Sequence, residues 1–440
     1  IIPYEKIKEF KARALNPEHP HQQGTAQNPD IYFQNREAAN SFYNNAYSEV
    51  LSAMKKVEEI TGRSYKPFDY VGAKNAETVI IMMGSGAETA EETINYLNSI
   101  GGKYGLVKVR LYRPFNSQAL CEILPKTVKK IAVLDRTKES GAVGEPLYID
   151  VVSSLAKMNR SAFVIGGRYG LGSKEFTPAC VKAVLENLEN ENPKNNFTVG
   201  IVDDVTNLSL PLKDFHISHD NIEYKFFGLG SDGTVSANKN SIKIIGENTN
   251  KYTQGFFEYD SKKSGSITIS HLRISDTPIK STYTLTNADF IAIHNYSFVG
   301  RYDVLKGLNA GGVVLLNTVL DQNGLSEDLP DYFVKALKET EAKFYVLNAQ
   351  KIAKDCGLGN KINVIMQAAF FKLANIMDYS KAVEAMKLAV KKTYGKKGDK
   401  VVESNYNAID SALSGLVEID VNSLKGKHYG ERKETDYYNN

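Results

Sequence analysis

Short apolar runs alternate with amphipathic stretches along most of the chain. From Glu77 onward the runs are rich in β-branched residues, and they read TVIIMMGSG, YGLVKVRLY, KKIAVLDRT and SAFVIGG. Runs of this kind, separated by stretches with helical spacing, are typical of buried parallel strands in βαβ units. The pattern therefore predicts a first α/β domain over residues 72–210.

A second set of apolar runs begins near Tyr224 and reads YKFFG, ADFIAIHN, GGVVLLNT and AKFYVLNA. Each run is followed by polar turn residues, which again is typical of strands in an α/β fold. We therefore expect a second α/β domain over residues 211–420. The apolar spacing predicts helices between and after these strands, over residues 299–309, 329–340, 363–373 and 379–394.

The two ends of the chain do not have the pattern of a domain. Residues 1–71 contain a loop-like stretch and a helical pattern that stops at Gly62, which is too little to enclose a core. Residues 421–440, which include GKHYGERKETDYYNN, are polar and are expected to form a linker tail.

The second domain opens on a glycine turn, GLGSDG. Gly228, Gly230 and Gly233 fit the spacing of a dinucleotide-binding turn, which seats a phosphate at the start of the next helix. Thr234 or Ser231 would cap that helix and leave backbone amides free for the phosphate. Three glycines are weak evidence alone, because the same spacing also occurs in tight turns that bind nothing.

Lysines near the turn narrow the choice of ligand. A dinucleotide site expects an acidic residue about 20 residues further on, at the end of the next strand. Asp260 stands in that region, but Lys262 and Lys263 follow it, and Lys239 and Lys243 lie on the predicted helix. These ammonium groups favour a phosphorylated ribose, which leaves NADP and coenzyme A as candidates. The alternative is that the lysines belong to a solvated loop.

Composition excludes several other classes of function. The charges of the 54 basic and 51 acidic residues nearly cancel, so neither a nucleic acid nor a membrane is the expected partner. No apolar run is long enough to span a bilayer. The three cysteines have no CxxC spacing, which argues against a disulfide framework, a zinc site or an iron–sulfur site and favours a reducing compartment. The seven histidines suggest no nucleophilic catalytic set, and His271 and His294 fit a structural role as well as a catalytic one.

Several stretches together resemble one enzyme family, the pyruvate:ferredoxin (flavodoxin) oxidoreductases. They occur in family order over nearly the whole chain, and they read GTAQNPDIYFQ, FDYVGA, VLDRTKESGAVGEPLY, GGRYGLGSKEFTP, GLGSDGTVSANKNSIKIIGENT, YDSKKSGSITISHLR and INVIMQAAFFKLAN. The resemblance implies the middle of such an enzyme. Residues 1–71 would end its first, thiamine- and pyruvate-side domain, residues 72–210 would form a transketolase-C-terminal-like domain, and residues 211–420 would form a Rossmann-like gamma domain. Both complete domains would be three-layer α/β/α structures with mostly parallel sheets.

The resemblance also implies an activity, cofactors and partners. The family converts pyruvate and coenzyme A to acetyl-CoA and carbon dioxide, with thiamine diphosphate and Mg²⁺, and passes electrons through 4Fe-4S clusters to ferredoxin or flavodoxin. The thiamine and cluster parts are expected outside this chain, which alone would lack catalytic residues and activity. Its implied partners are the remaining domains and a second copy in a homodimer, and its implied location is the cytoplasm or, alternatively, a hydrogenosome.

Within the family, the gamma domain is the expected docking place of coenzyme A, so the resemblance favours coenzyme A over NADP. The residues expected to contact it are those of the turn, the next helix and the lysine-bearing segment, namely Gly228, Gly230, Ser231, Asp232, Gly233, Thr234, Asn238, Lys239, Lys262, Lys263 and Arg273. Two other functions stay open, an NADP-dependent dehydrogenase domain and a scaffold or dimerisation module that binds no ligand.

Overall fold

The computed structural model describes residues 3–20, 24, 26–203, 205–259 and 266–428. Contacts between residues separate the chain into two compact units, and each is described by itself. The first unit comprises Ile1–Gly84, Gly101–Arg168 and Asn190–Asn196. The second comprises Ser85–Ile100, Tyr169–Glu189 and Phe197–Asn440.

Helices and strands alternate along the chain, which confirms the predicted α/β class. The helices are α1 (Tyr4–Ala12), α2 (Tyr32–Ala38), α3 (Asn40–Thr61), α4 (Gly86–Ser99), α5 (Ser117–Ile123), α6 (Pro146–Lys157), α7 (Pro178–Glu189), α8 (Thr234–Asn248), α9 (Gln322–Asp328), α10 (Asp331–Glu339), α11 (Ala349–Asp355), α12 (Asn363–Ala374), α13 (Tyr379–Tyr394) and α14 (Asp399–Ser411). The strands are β1 (Phe68–Gly72), β2 (Thr78–Met83), β3 (Tyr104–Val109), β4 (Lys130–Asp135), β5 (Phe163–Tyr169), β6 (Phe197–Val199), β7 (Ile222–Leu229), β8 (Tyr252–Tyr259), β9 (Ile267–Ser275), β10 (Ala288–Ile293), β11 (Leu308–Asn317), β12 (Lys343–Leu347) and β13 (Leu416–Ile419). Among the residues described, no helix has both the length and the apolar character needed to cross a bilayer.

The first unit is built on strands in the order β1–β3–β2–β4–β5. β2 is parallel to β3 and β4, and β4 is parallel to β5, whereas β1 runs antiparallel to β3. Ile81 of β2 and Val133 of β4 are fully buried, and Leu147 of α6 packs in the same core. The continuous apolar runs therefore form the centre of a parallel sheet, as their sequence predicts.

The second unit contains a seven-stranded sheet in the order β13–β12–β11–β10–β7–β9–β8. The inner strands β12, β11, β10 and β7 are parallel. β13, β9 and β8 are antiparallel to their neighbours, so the sheet is more mixed than its sequence predicts. β9 lies between β7 and β8, and the βαβ unit of β7, α8 and β8 is therefore split by an inserted strand.

Helices cover both faces of this second sheet. On one face, Ile245 of α8 and Phe370 of α12 pack in a core with Phe226 of β7. On the other face, Phe333 of α10 packs against Phe344 of β12, with ring centres 6.1 Å apart. The second unit thus has three layers, because each face of its sheet is apolar and needs a covering helix.

The chain between β10 and β11 differs from its predicted structure. The spacing of VGRYDVLKGLN predicts a helix over 299–309, but a 3-10 turn over Tyr296–Phe298 precedes an irregular segment, and Leu308 already belongs to β11. Gly307 has a φ of 79°, and a Cβ there would lie 2.1 Å from the carbonyl oxygen of Thr286. The helix prediction is wrong because a left-handed glycine turns the chain sharply into the next strand.

Candidate functional site

The glycine turn joins β7 to α8 in the second unit. β7 ends at Leu229 and α8 begins at Thr234, so the turn lies between a strand and a helix as predicted. A Cβ at Gly228 would lie 2.5 Å from the hydroxyl oxygen of Thr234, so the strand can approach the helix this closely only at a glycine. Gly233 has a φ of 91°, the left-handed region in which glycine carries no steric penalty.

Asp232 closes the turn through its carboxylate. One carboxylate oxygen accepts a hydrogen bond from the backbone N–H of Leu229, and the other accepts one from the N–H of Thr234, each at 2.7 Å. The N–H of Gly230 donates to the carbonyl oxygen of Ser266, at 2.8 Å. The turn is therefore held in one conformation by the protein's own groups, as a preorganised binding loop requires.

Neither Thr234 nor Ser231 caps α8, so that prediction is wrong. The N-cap residue is Gly233, which has no side chain to supply a cap. The hydroxyl of Thr234 instead lies 2.7 Å from Nδ1 of His294, and Ser231 lies before the helix with a φ of 74°. Among the backbone N–H groups of α8, Asp232 accepts a hydrogen bond only from the first, that of Thr234. The next two backbone N–H groups have no acceptor inside the helix.

His294 is buried behind the turn at the end of β10. Burial lowers the pKa of its imidazole to about 4, and the negative charge of Asp232 opposes this only in part. The backbone N–H of His294 donates to the carbonyl of Phe227, and its own carbonyl accepts from the amide of Asn317, both at 2.9 Å. A neutral imidazole fixed in this way holds Thr234, and with it the start of α8, in place.

Acid is expected to destabilise the second unit through His294. Because the pKa in the folded state is below the ordinary value of 6.5, the unfolded chain binds the proton more tightly. The free energy of unfolding should therefore fall as pH decreases from about 6.5 to about 4, by on the order of 2 kcal/mol. Urea unfolding of the wild type and His294→Gln over this range measures the effect.

The contribution of His294 is the part of the pH dependence that His294→Gln removes. His216→Gln is the matched control, because it makes the same substitution at a side chain that is 63% exposed. An equal slope in the wild type and His294→Gln would contradict the assignment.

Unpaired polar atoms are buried between α8 and β9. Asn238 of α8 is 3% exposed, and its side-chain nitrogen has no hydrogen-bond partner among the described residues. The hydroxyls of Thr268 and Ser270 on β9 also have none there, and Thr268 pairs directly with Gly228. Unpaired buried groups are costly, so this layer behind the turn has hydrogen-bonding capacity that a water or a ligand would use.

The lysine prediction is only partly within the described structure. Lys239 lies on α8 with its ammonium group 5.2 Å from the ring centre of Phe257 on β8. Lys262 and Lys263 lie outside the described residues. The strand ends on either side of them lie near the turn, since Tyr259 pairs with Thr268 and Thr268 pairs with Gly228.

Arg273 lies at the other end of β9 from the turn. It pairs with Glu223, five positions along β7 from Gly228, which is about 17 Å in a strand. Its guanidinium bonds the carboxylate of Glu223 at 3.0 Å and the side chain of Gln254 at 3.0 Å. It also donates to three backbone carbonyls, those of Ser281, Tyr283 and Thr284. The structure does not bring Arg273 together with the turn.

Asn363, a residue that the sequence does not suggest, lies against the turn. It is the first residue of α12, and a Cβ at Gly233 would lie 3.3 Å from its side-chain amide. No local motif links it to the turn, because 130 residues separate the two positions. The fold alone brings an amide side chain to this edge of the candidate site.

Comparison with known proteins identifies the relatives of both parts of the chain. The family model described as pyruvate:ferredoxin oxidoreductase core domain II matches residues 76–181. The model described as pyruvate ferredoxin/flavodoxin oxidoreductase matches residues 223–415, which include the turn, α8 and Asn363.

Curated relatives match nearly the whole chain. The pyruvate:ferredoxin oxidoreductase of Moorella thermoacetica is 54% identical over 422 residues, which cover 95% of this chain and 36% of the relative. The pyruvate-flavodoxin oxidoreductase of Trichormus variabilis is 50% identical over 424 residues, with the same two coverages. The chain thus spans about a third of the length of the relatives it matches.

Among solved structures, the pyruvate oxidoreductase subunit PORC of Thermotoga maritima is similar to part of the chain. The identity is 21% and the TM-score is 0.36, over 46% of this chain and 99% of that subunit. The sequence relatives, at about half identity over nearly all of this chain, are far closer.

Proposed function

Because the chain belongs to the pyruvate:ferredoxin (flavodoxin) oxidoreductase family, we propose that it is the part of such an enzyme that binds coenzyme A. The binding place is the turn between β7 and α8. The complete enzyme would convert pyruvate and coenzyme A to acetyl-CoA and carbon dioxide and pass electrons to ferredoxin or flavodoxin. This chain would act there with the remaining domains, in a homodimer located in the cytoplasm.

The observation that carries the proposal is the preformed glycine turn at the start of α8. A helix start combines unpaired backbone amides with the positive end of the helix dipole, and both attract a phosphate. α8 is 15 residues long, and Asp232 holds the turn without occupying the second and third helical amides. The diphosphate of coenzyme A is the group that these amides would bind.

The split βαβ unit supports coenzyme A over a nicotinamide dinucleotide. In a dinucleotide fold the acidic residue that bonds the ribose hydroxyls follows a strand adjacent to the first. Here β9 separates β8 from β7, and the segment after β8 carries Lys262 and Lys263. Positive charge at this position suits a phosphorylated ribose rather than free ribose hydroxyls.

We propose that the other cofactors of the family are held by its other domains. No group of three or more metal-ligating side chains occurs in the part of the chain that the structure describes. The sequence has three cysteines, of which Cys121 and Cys180 are buried, and three are fewer than the four thiolates that hold a 4Fe-4S cluster. Thiamine diphosphate, Mg²⁺ and the 4Fe-4S clusters would therefore be held by other domains, and we assign no chemical step to this chain.

Coenzyme A is expected to protect the chain against thermal unfolding. A ligand that binds only the folded state stabilises it by about 2.7 kcal/mol at a free concentration of 100 times its Kd. Scans of the unfolding temperature with coenzyme A, with NADPH and with neither measure this. A shift with NADPH alone would favour the dehydrogenase alternative, and a shift with neither would favour a scaffold.

The lysine-bearing segment supplies a prediction about affinity. Lys262→Ala combined with Lys263→Ala should weaken coenzyme A binding roughly tenfold at low salt, because two charges near the ribose phosphate are removed. Lys335→Ala with Lys343→Ala removes the same charge from exposed positions elsewhere in the second unit. Equal affinities in the two double variants, measured by titration, would refute the assignment of Lys262 and Lys263.

A further inference from the structure

A polar cavity of about 330 Å³ lies in the second unit, at the end of its sheet that is opposite to the glycine turn. Its volume is near the lower end of the range for small-molecule sites. Glu223 and Arg273 line it, and Glu223 lies five positions before Gly228 on β7, which is about 17 Å along the strand. The cavity is therefore separate from the place proposed for coenzyme A.

Several parts of the second unit form the wall of this cavity. Residues 213–221, which belong to no helix or longer strand before Ile222, cover one side. The first residue of α7, Pro178, lies on another side, and Asn287 and Asn309 contribute from the chain where β10 and β11 begin. Arg273 is only 3% exposed, so the cavity reaches a side chain that is buried beneath the surface.

The charges of the wall are balanced. The charged side chains already have partners in the protein at 2.8–3.0 Å, in the pairs Lys213–Glu186, Arg273–Glu223 and His216–Asp214. A charged ligand would therefore have to leave water without gaining an unpaired charge of opposite sign from these groups, which is costly. The wall favours a ligand without net charge.

Neutral polar side chains of the wall have unused hydrogen-bonding groups. Ser218, Asn221 and Asn287 line the cavity, and their side chains make no hydrogen bond to another residue that the structure describes. A hydroxyl and a carboxamide each donate and accept hydrogen bonds. Hydroxyl groups of a ligand have the same double capacity, so they complement these side chains.

Two aromatic rings give the wall an apolar component. The ring of Phe215 packs edge-on against Tyr96, with ring centres 5.9 Å apart. The guanidinium carbon of Arg273 lies 4.8 Å from the ring centre of Tyr283, whose hydroxyl donates to the carboxylate of Glu92 at 2.9 Å. Both rings line the cavity, and they offer an apolar surface to the C–H groups of a ligand.

We propose that this cavity binds an uncharged, polyhydroxylated small molecule of the size of a mono- or disaccharide. Such a ligand has hydroxyl groups for the serine and asparagine side chains and C–H groups for the aromatic rings. It has no charge that would compete with the existing ion pairs. The proposal does not rest on the proposed coenzyme A site, because the two places lie at opposite ends of β7.

Three sugars with one ring skeleton test the class of ligand. In titrations followed by ligand-observed NMR, we expect glucose to bind the full chain saturably, with a Kd on the order of 1 mM for a ligand of its size. Glucuronate adds a carboxylate and glucosamine adds an ammonium group, and each should bind at least roughly tenfold more weakly. No saturable binding of glucose, or binding of either charged sugar as tight as that of glucose, would overturn the proposal.

Asn221→Ala combined with Asn287→Ala locates the binding place. Glucose affinity should fall roughly tenfold because two hydrogen bonds are lost. The urea unfolding midpoint should stay the same, because neither side chain bonds to another described residue.

Asn250→Ala with Asn323→Ala is the matched control, since both asparagines are exposed in the second unit and neither lines the cavity. This control should bind glucose as the wild type does. Equal glucose affinities in the two double variants would overturn the assignment to this cavity. Coenzyme A affinity should be the same in both, so a loss of glucose binding alone leaves the proposed function intact.

Discussion

Gly228→Ala is expected to lower both the stability of the second unit and its affinity for coenzyme A. The new methyl group would lie 2.5–2.9 Å from three side-chain atoms of Thr234. Thr234 is 1% exposed and is held by His294, so it has no room to move away. The overlap should cost about 3 kcal/mol, and the displaced start of α8 should weaken coenzyme A binding at least about tenfold.

Gly300→Ala is the control for Gly228→Ala. A Cβ at Gly300 has no heavy atom within 4 Å, so this substitution should leave urea unfolding and coenzyme A titration close to the wild type. Wild-type behaviour of Gly228→Ala in both measurements would mean that neither stability nor coenzyme A binding needs the close approach of β7 and α8. A loss of stability with unchanged affinity for coenzyme A would mean that the turn is not the binding place of this ligand.

Arg273→Met is expected to destabilise the second unit strongly without weakening ligand binding by the folded protein. The substitution removes every hydrogen bond of a guanidinium that is 3% exposed and leaves the carboxylate of Glu223, 17% exposed, without its cation. Burial already raises the pKa of Glu223 even with Arg273 beside it. Loss of one member of such a buried pair costs about 3–5 kcal/mol.

The affinity measurement decides what Arg273 does. Its guanidinium already donates hydrogen bonds to protein groups at the end of β9 that is far from the turn. The coenzyme A affinity of folded Arg273→Met should therefore stay within about twofold of the wild type. A large fall in affinity would instead support the direct contact that the sequence predicts. Arg113→Ala is the stability control. The side chain of Arg113 is 57% exposed in its ion pair with Asp150, so this pair should contribute less than about 1 kcal/mol to the free energy of unfolding.

The strands at the centre of each sheet follow from the sequence because burial on both faces imposes a continuous apolar run. Ile81 and Val133 lie in such runs and are fully buried. The insertion of β9 between β7 and β8 is different, since strand order depends on long-range pairing that no local pattern records. For the same reason the sequence overestimates the parallel character of the second sheet.

The position of the glycine turn is predictable, whereas its contacts are not. Gly228 allows the close approach of strand and helix, and Gly233 adopts a positive φ. Both requirements favour glycine, so the sequence shows where the turn is. That Asp232 closes the turn, and that His294 holds Thr234, depends on which short polar side chains the fold brings together. Asn363 comes from α12, more than 100 residues further along, beyond the reach of any local motif.

Calorimetric titration of the chain with coenzyme A and, separately, with NADPH tests the central claim most directly. We predict saturable binding of coenzyme A with one site per chain, weaker as salt increases because lysines and helix amides bind its phosphates. NADPH should bind much more weakly. Tight binding of NADPH without binding of coenzyme A, or no binding of either ligand, would contradict the account.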